Sequence, residues 1–319
     1  MNPREAFVSL NESMSQTIIG QSHLVERLLI SLLADGHLLV EGAPGLAKTK
    51  AIKALSDRME GDFQRVQFTP DLLPSDITGT EIYRMEDGQF HFQKGPIFHN
   101  LVLADEINRA PAKVQAALLE AMAERQVSVG QKTYPLDKLF LVMATQNPIE
   151  QEGTYPLPEA QLDRFLMHVK IGYPDASSEL EILRLAREEI AHSEALQLSQ
   201  ITQDMVFAAR QDVQAIHMSE AVENYIVQLT MATRQPKKYG ADLDKWIDFG
   251  ASPRGTIALD RCARAYAWLQ NKDFVSPDDV RAITHDVLRH RLLVSFEAEA
   301  DGISSDQVIN ELIVRVPVA

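Results

Sequence analysis

A chain of 319 residues suffices for one large domain or two ordinary ones, and an apolar share of 45% is that of a packed globular protein. A formal net charge of −14 argues against general affinity for nucleic acid or an anionic membrane surface. The single cysteine, Cys262, leaves no disulfide within the chain, and its setting, Ala258-Leu259-Asp260-Arg261-Cys262-Ala263-Arg264, reads as a buried helix position. The start, Met1-Asn2-Pro3-Arg4-Glu5, has no apolar export core, and no apolar run approaches the roughly 18 residues of a membrane helix. The expected setting is therefore cytoplasmic, without membrane insertion.

Residues 5 to 33 read as two helices parted by Thr17-Ile18-Ile19-Gly20-Gln21. Leu24, Leu28, Leu32 and Leu33 give the second a helical stripe. Ile19 and Gly20 form a short apolar turn of the kind that packs on an adenine ring, although Gly also ends many helices. His37-Leu38-Leu39-Val40 is a strand that runs into Gly42-Ala43-Pro44-Gly45-Leu46-Ala47-Lys48-Thr49, and a helical stretch from Lys48 to Met59 leaves it. Strand, glycine-rich turn and helix start are the setting of a phosphate-binding loop. Such a turn aims backbone N–H groups inward, and the helix N-terminus adds partial positive charge. Lys48 is then placed for the outer phosphates, and the Thr49 hydroxyl for Mg²⁺. Ala47 departs from the strict pattern, which has Gly before Lys. As the smallest substitute, Ala keeps close approach to phosphate feasible.

Phe63 to Thr69 reads as the next strand. Thr80–Arg84 and Gln89–Gln93 flank Met85-Glu86-Asp87-Gly88, a hairpin signal that interrupts the α/β pattern over 80–93. Asn100-Leu101-Val102-Leu103-Ala104-Asp105-Glu106 is an apolar run ending in two acids, as in a strand buried on both faces. A helix from Pro111 to Arg125 follows, then a smaller hairpin over 126–134. Leu139 to Ala144 is another buried strand, ending at Thr145-Gln146-Asn147-Pro148, and Phe165 to Ile171 is the last. Strands alternating with helices from about 37 to 171 imply a parallel sheet covered on both faces. Gly172-Tyr173-Pro174-Asp175 breaks the pattern. After it only helices are expected: 177–190, 201–217, 219–234, and two that start at Ser252-Pro253 and Ser276-Pro277, with Ser as N-cap and Pro in the first turn. The predicted organisation is α/β over 1–173 and all-helical over 174–319.

A carboxylate at a strand end beside bound nucleotide holds Mg²⁺ directly or through water, and a second orients or deprotonates the attacking water. Asp105 suits the first role and Glu106 the second. Asn147 ends the next strand, at the carboxyl edge where ligands of open α/β sheets bind; a lone Asn-Pro would be just a turn signal. Arg164, before the last strand, and Arg254, in the first turn of a later helix, are candidates for the positive charge that phosphoryl transfer requires. His23, His37, His91, His99 and His168 show no ligand-like spacing and read as structural or surface residues.

In this order, Gly42–Thr49, Leu101–Glu106, Asn147, Arg164 and Arg254 resemble an AAA+ ATPase. The longer stretches Pro70–Gly79, Asp105–Pro111, Ala144–Pro148 and Tyr155–Phe165 resemble the MoxR group, in which Ala47 is itself common. The resemblance covers nearly the whole chain. It implies an αβα P-loop core with a parallel sheet and a helical lid, binding ATP and Mg²⁺. It implies Gly42, Gly45, Lys48 and Thr49 as Walker A, Asp105 and Glu106 as Walker B, Asn147 as sensor 1, Arg164 as the finger reaching a neighbour's nucleotide and Arg254 as sensor 2. It makes the hairpins at 80–93 and 126–134 insertions near a ring pore. It implies a hexameric homo-oligomer with chaperone-like action on client protein complexes, beside von Willebrand factor A domain partners. Two other readings compete: a DNA-translocating motor, disfavoured by the acidic balance and by Glu86 and Asp87 in the first hairpin, and a nucleotide-gated scaffold with little turnover, disfavoured by Glu106.

Overall fold

The computed structural model describes residues 2–149, 153–191 and 200–318, and every predicted site residue lies among them. Asn2 opens α1 (Pro3–Thr17): its side chain accepts from the Arg4 N–H, while Glu5 reaches back to the Asn2 N–H, a capping box that satisfies two orphan donors. Next come α2 (Ser22–Leu33), β1 (Leu38–Glu41), α3 (Lys48–Ser56), β2 (Phe63–Gln67), and a short α4 (Pro74–Thr78). The hairpin strands β3 (Gly79–Arg84) and β4 (Gln89–Lys94) precede β5 (Leu101–Asp105) and α5 (Ala112–Glu124). The second hairpin, β6 (Gln126–Val129) and β7 (Lys132–Pro135), leads to β8 (Leu141–Gln146), α6 (Glu159–Leu162) and β9 (Met167–Lys170).

The central sheet has the order β2-β5-β8-β1-β9, with every pair parallel. Successive side chains of a strand serve opposite faces. Leu38, Val40, Leu101, Leu103, Leu141 and Met143 enter one apolar cluster; Leu39, Val102, Ala104, Val142 and Ala144 enter the other. Both faces are covered, as the continuous apolar runs predicted. In this order β8 lies between the P-loop strand and β5. That placement brings Asn147 up beside Asp105 at the carboxyl edge.

The remaining elements are α7 (Ala176–Ala191), α8 (Gln203–Ala215), α9 (Glu220–Arg234), α10 (Ala241–Trp246), β10 (Ile247–Phe249), α11 (Pro253–Leu269), α12 (Pro277–Leu288), β11 (Leu293–Val294), α13 (Phe296–Ala300) and α14 (Ser305–Arg315). Ser252 and Ser276 cap α11 and α12 as predicted, each with Pro in the first turn. The expectation of helices alone after residue 173 needs one correction. β10 pairs antiparallel with β11. Each is too short to show a period, and the partners lie on opposite sides of α11 and α12 in the chain, so no local signal marks them. Cys262 is fully buried, and burial pushes its thiol up to about 12.

The later helices and the sheet share apolar material. The cluster on the β1 side runs on through α1 and α2 into α8, α9, α11 and α12. Phe7 of α1 meets Trp268 of α11 edge to face at 5.6 Å.

Candidate nucleotide site

The loop after β1 is shaped by two left-handed residues. Gly45 has φ +83°, which costs glycine nothing. Ala47 has φ +58°, a conformation that costs an L-residue roughly 1–2 kcal/mol. That explains why the strict motif places Gly there. Lys48 then begins α3, and its ammonium folds back to donate to the Gly42 carbonyl and, at 3.4 Å, to that of Gln146. Burial draws the Lys48 ammonium below its ordinary value, while Asp105, Glu106 and Glu41 pull it back up.

The two acids follow β5. One Asp105 oxygen accepts from the buried Thr145 hydroxyl at 2.6 Å, and the other accepts from Arg65 Nη2 at 2.6 Å and Nε at 3.1 Å. Glu106 sits in the left-handed region at φ +57°, its N–H donating to Thr145 Oγ1 at 2.9 Å. Non-glycine residues held there mark strain that the surroundings must enforce. The Glu106 carboxylate accepts from Gln67 Nε2 at 2.8 Å and Arg109 Nη1 at 3.1 Å. Asn147 is buried, and its Oδ1 accepts from the Ile149 N–H at 3.1 Å, so its free end is the NH₂ donor.

These groups converge. Pro44 through Lys50, Asp105, Glu106 and Asn147 line one cavity of about 390 Å³, together with Arg65 and Gln67. The lining combines the start of α3 and Lys48, suited to phosphate, with the carboxylates of Asp105 and Glu106, suited to a divalent cation. Ile19, half-buried, and Gly20 are not part of that lining. Gln21 donates to the Gly172 carbonyl at 2.9 Å, and Ile171 donates to the Glu41 carbonyl at 2.9 Å. The turn is thereby tied, through residues 171 and 172, to the strand that feeds the loop.

Arg164 and Arg254 lie elsewhere. Both line a hollow of about 330 Å³ that also contains Asp35, Gly36 and His37, the residues just before β1. β1 has four residues, which at about 3.3 Å each puts this hollow roughly 13 Å or more from the loop that follows the strand.

Comparison with known proteins agrees with this arrangement. Residues 37–167 match the ATPase family associated with various cellular activities, and residues 243–312 match the AAA lid domain. The chain is 47% identical over 305 residues to the chaperone MoxR1 of Mycobacterium tuberculosis, covering 95% of this chain and 80% of that protein. It is 35% identical over 308 residues to the MoxR protein of Paracoccus denitrificans, covering 91% of this chain and 89% of that one. The chain belongs to the MoxR family of AAA+ ATPases. A crystal structure from Cytophaga hutchinsonii, presented as a candidate ATPase, superposes on this MoxR-family chain with a TM-score of 0.91 at 45% identity, covering 99% of this chain and 96% of that one.

Three residues of this MoxR-family site escaped the sequence reading. Thr145 clamps Asp105 and the Glu106 backbone together, and its one signal is a hydroxyl at the end of a buried strand. Arg65 and Gln67 sit two apart on edge strand β2 and face the acids, a pairing that depends on β2 lying beside β5. Among the described residues no three His, Cys, Asp or Glu side chains converge on a metal position. A Mg²⁺ ion here would take its ligands from the Thr49 hydroxyl, from Asp105 and from the nucleotide's own phosphates.

Proposed function

We propose that this chain is a Mg²⁺-dependent ATP hydrolase that works in a ring of identical copies, hexameric as the family resemblance implies, and remodels protein complexes as a chaperone. The relative MoxR1 is named a chaperone, which supports the remodelling role. The same resemblance supports a client complex, a von Willebrand factor A domain partner and a cytoplasmic setting. Among the described residues no helix is long and apolar enough to cross a membrane, which fits a protein without membrane insertion. We also divide the chain near residue 173, with the nucleotide-binding part before it and the lid after.

One observation carries the reading. Lys48, Thr49, Asp105, Glu106 and Asn147 share one cavity, while Arg164 and Arg254 share another, beyond the opposite end of β1. Two separate cavities of this make-up support a phosphate site in each copy and a set of arginines offered to a neighbour. In a ring, each hollow of arginines meets the next copy's nucleotide. Bound Mg²⁺ would supply charge at the β- and γ-phosphates. Lys48 neutralises those oxygens, and Glu106 takes the proton of the attacking water. The Asn147 NH₂ holds that water or a γ-oxygen, and Ile19 and Gly20 border the base. Arg164 and Arg254, from the neighbour, stabilise the charge that develops as the terminal P–O bond breaks; a finger of this kind is worth roughly 10³–10⁵ in rate.

Binding of a fluorescent ATP and release of phosphate test the proposal. Lys48→Ala is expected to abolish binding. Glu106→Gln is expected to retain binding and lose turnover, because the amide fills the same space without a basic oxygen. Arg164→Ala is expected to bind and not hydrolyse until it is mixed with Lys48→Ala, when partial activity returns. Wild-type turnover by Glu106→Gln would refute the assignment of the base. A mixture that stays inactive, although native mass measurements show mixed rings, would refute the trans arginine.

A further inference from the structure

The hollow that holds Arg164 and Arg254 carries more positive charge than those two residues account for. Its lining includes Arg125, Arg164, Arg254, Arg261 and Arg291, against Asp35 and Asp163. Both aspartates are already engaged. Asp35 Oδ1 receives Arg125 Nη2 at 2.7 Å and Arg210 Nη1 at 2.8 Å. Asp163 receives the buried Arg291 through Nε at 2.8 Å and the Ser252 hydroxyl at 2.8 Å, while Arg254 approaches it only to 4.0 Å. His37 adds no compensating charge. Arg164 donates to the Leu119 carbonyl at 2.6 Å and meets no carboxylate among the described residues.

Arg261 is the cation least accounted for. Arg254, Ile257, Ala258 and Arg261 follow the spacing i, i+3, i+4, i+7, so they share one face of α11. All four line the hollow. Arg261 is exposed and makes no ion pair or hydrogen bond among the described residues, and its neighbour Asp260 is held by Arg264 at 2.9 Å. Seven residues span about 10 Å along a helix, so Arg254 and Arg261 bracket a space the size of a polyphosphate. In a chain of net charge −14, this is a local concentration of cations awaiting an anion from outside. A triphosphate offers several negative charges on one small group, and a side-chain carboxylate offers one, so the surplus favours the nucleotide.

We propose that Arg261 is a third arginine of this set, reaching from one copy to the phosphates of the nucleotide bound by the next, beside Arg164 and Arg254. The inference rests on the ring reading above. It assigns a role to a position seven residues beyond Arg254 that no motif marks.

The test compares Arg261→Ala, Arg261→Lys and Arg164→Ala, each alone and mixed with Lys48→Ala. Fluorescent-ATP binding, phosphate release and native mass are read on the full chain. Arg261→Ala is expected to keep its melting temperature, its rings and ATP binding by dilute subunits. Its turnover is expected to fall roughly 10–100-fold, the scale of losing one donor aimed at developing charge. Arg261→Lys is expected to recover part of that loss, and mixing Arg261→Ala with Lys48→Ala to restore part of the turnover. Wild-type turnover by Arg261→Ala in intact rings, while the Arg164→Ala mixture recovers, would overturn the role of Arg261 and spare the ring reading. So would turnover that returns fully once higher protein concentration restores the rings, since that marks a bridge between subunits. An Arg261→Ala mixture that fails to recover while the Arg164→Ala mixture does would place Arg261 within its own subunit. Failure of the Arg164→Ala mixture in confirmed mixed rings would remove the ring reading itself.

Discussion

Ala47 and His37 show how single positions carry the fold's constraints. Ala47 holds a left-handed φ of +58°, which costs an L-residue about 1–2 kcal/mol, while glycine would lose about 0.4–1 kcal/mol more backbone entropy on folding. Ala47→Gly should therefore stabilise the nucleotide-free chain by up to about 1 kcal/mol, read as a higher urea midpoint at unchanged slope. A lower midpoint would show that the methyl group contributes packing that outweighs the strain. His37 is buried with Nδ1 accepting from the Val142 N–H at 3.0 Å and Nε2 placed 3.3 Å from the Met122 carbonyl, an arrangement that requires the neutral ring. Burial, helped by Arg125, lowers its pKa from 6.5 to about 3. Below 6.5 the unfolded chain takes a proton that the folded chain refuses. Stability must then fall as pH drops between those values, by up to about 1.4 kcal/mol per unit for such a group. The unfolding free energy should therefore fall less between pH 7 and pH 5 for His37→Gln than for the wild type. Equal slopes would refute the neutral buried ring.

Elements differ in how much of themselves they commit to the core. In the first hairpin, Phe92 stacks on Tyr134 of the second at 4.0 Å between ring centroids and meets Phe98 edge to face at 5.5 Å. Beyond that anchor the tip is open: Tyr83 is 52% exposed, Phe90 63% and Met85 90%. Apolar side chains held out on a two-stranded ribbon stabilise little and suit contact with another chain. Replacing residues 83–90 by a two-residue Asn-Gly turn should leave the melting temperature of the nucleotide-free chain and its ATP binding unchanged, since Phe92 stays in place. A collapse of the melting transition would show that the tip is structural. The anchor also joins two hairpins that lie apart along the chain.

At the scale of the whole molecule, the junction between α2 and α12 is closed by charge. Arg27 is buried, its Nε 2.7 Å from Asp286 Oδ2 and its Nη2 2.6 Å from the Ala282 carbonyl. Burial would raise the Asp286 carboxyl, yet His23 and Arg27 hold it well below the usual range. Arg289 completes the knot, meeting Asp286 at 3.0 Å and Asp306 at 2.7 Å. Removing one partner of such a pair typically costs about 3–5 kcal/mol, whereas replacing both by apolar groups is often neutral. Arg27→Met should therefore destabilise strongly, and Arg27→Met with Asp286→Leu should recover much of the loss. A double variant as unstable as the sum of its singles would mean the two side chains do not interact. This pair ties α12 to α2, the helix that precedes β1 in the chain.

Much of this was set by local pattern. The apolar runs at 38–40, 101–104 and 141–144 read as strands buried on both faces, and the Ser-Pro pairs at 252–253 and 276–277 as helix starts, because each signal lies within one element. The P-loop and the Asp105-Glu106 strand end were legible for the same reason. What the sequence left open depended on which elements become neighbours. β8 lies between β1 and β5, which sets Asn147, expected at this edge, beside the acids and lets Thr145, which no motif marks, clamp them. β2 at the sheet edge turns Arg65 and Gln67 toward carboxylates some forty residues away in the chain. The short β10–β11 ladder and the surplus of arginines around Arg254 likewise join segments far apart in sequence. Periodicity reports how one segment meets a surface; only tertiary packing decides which surface that is.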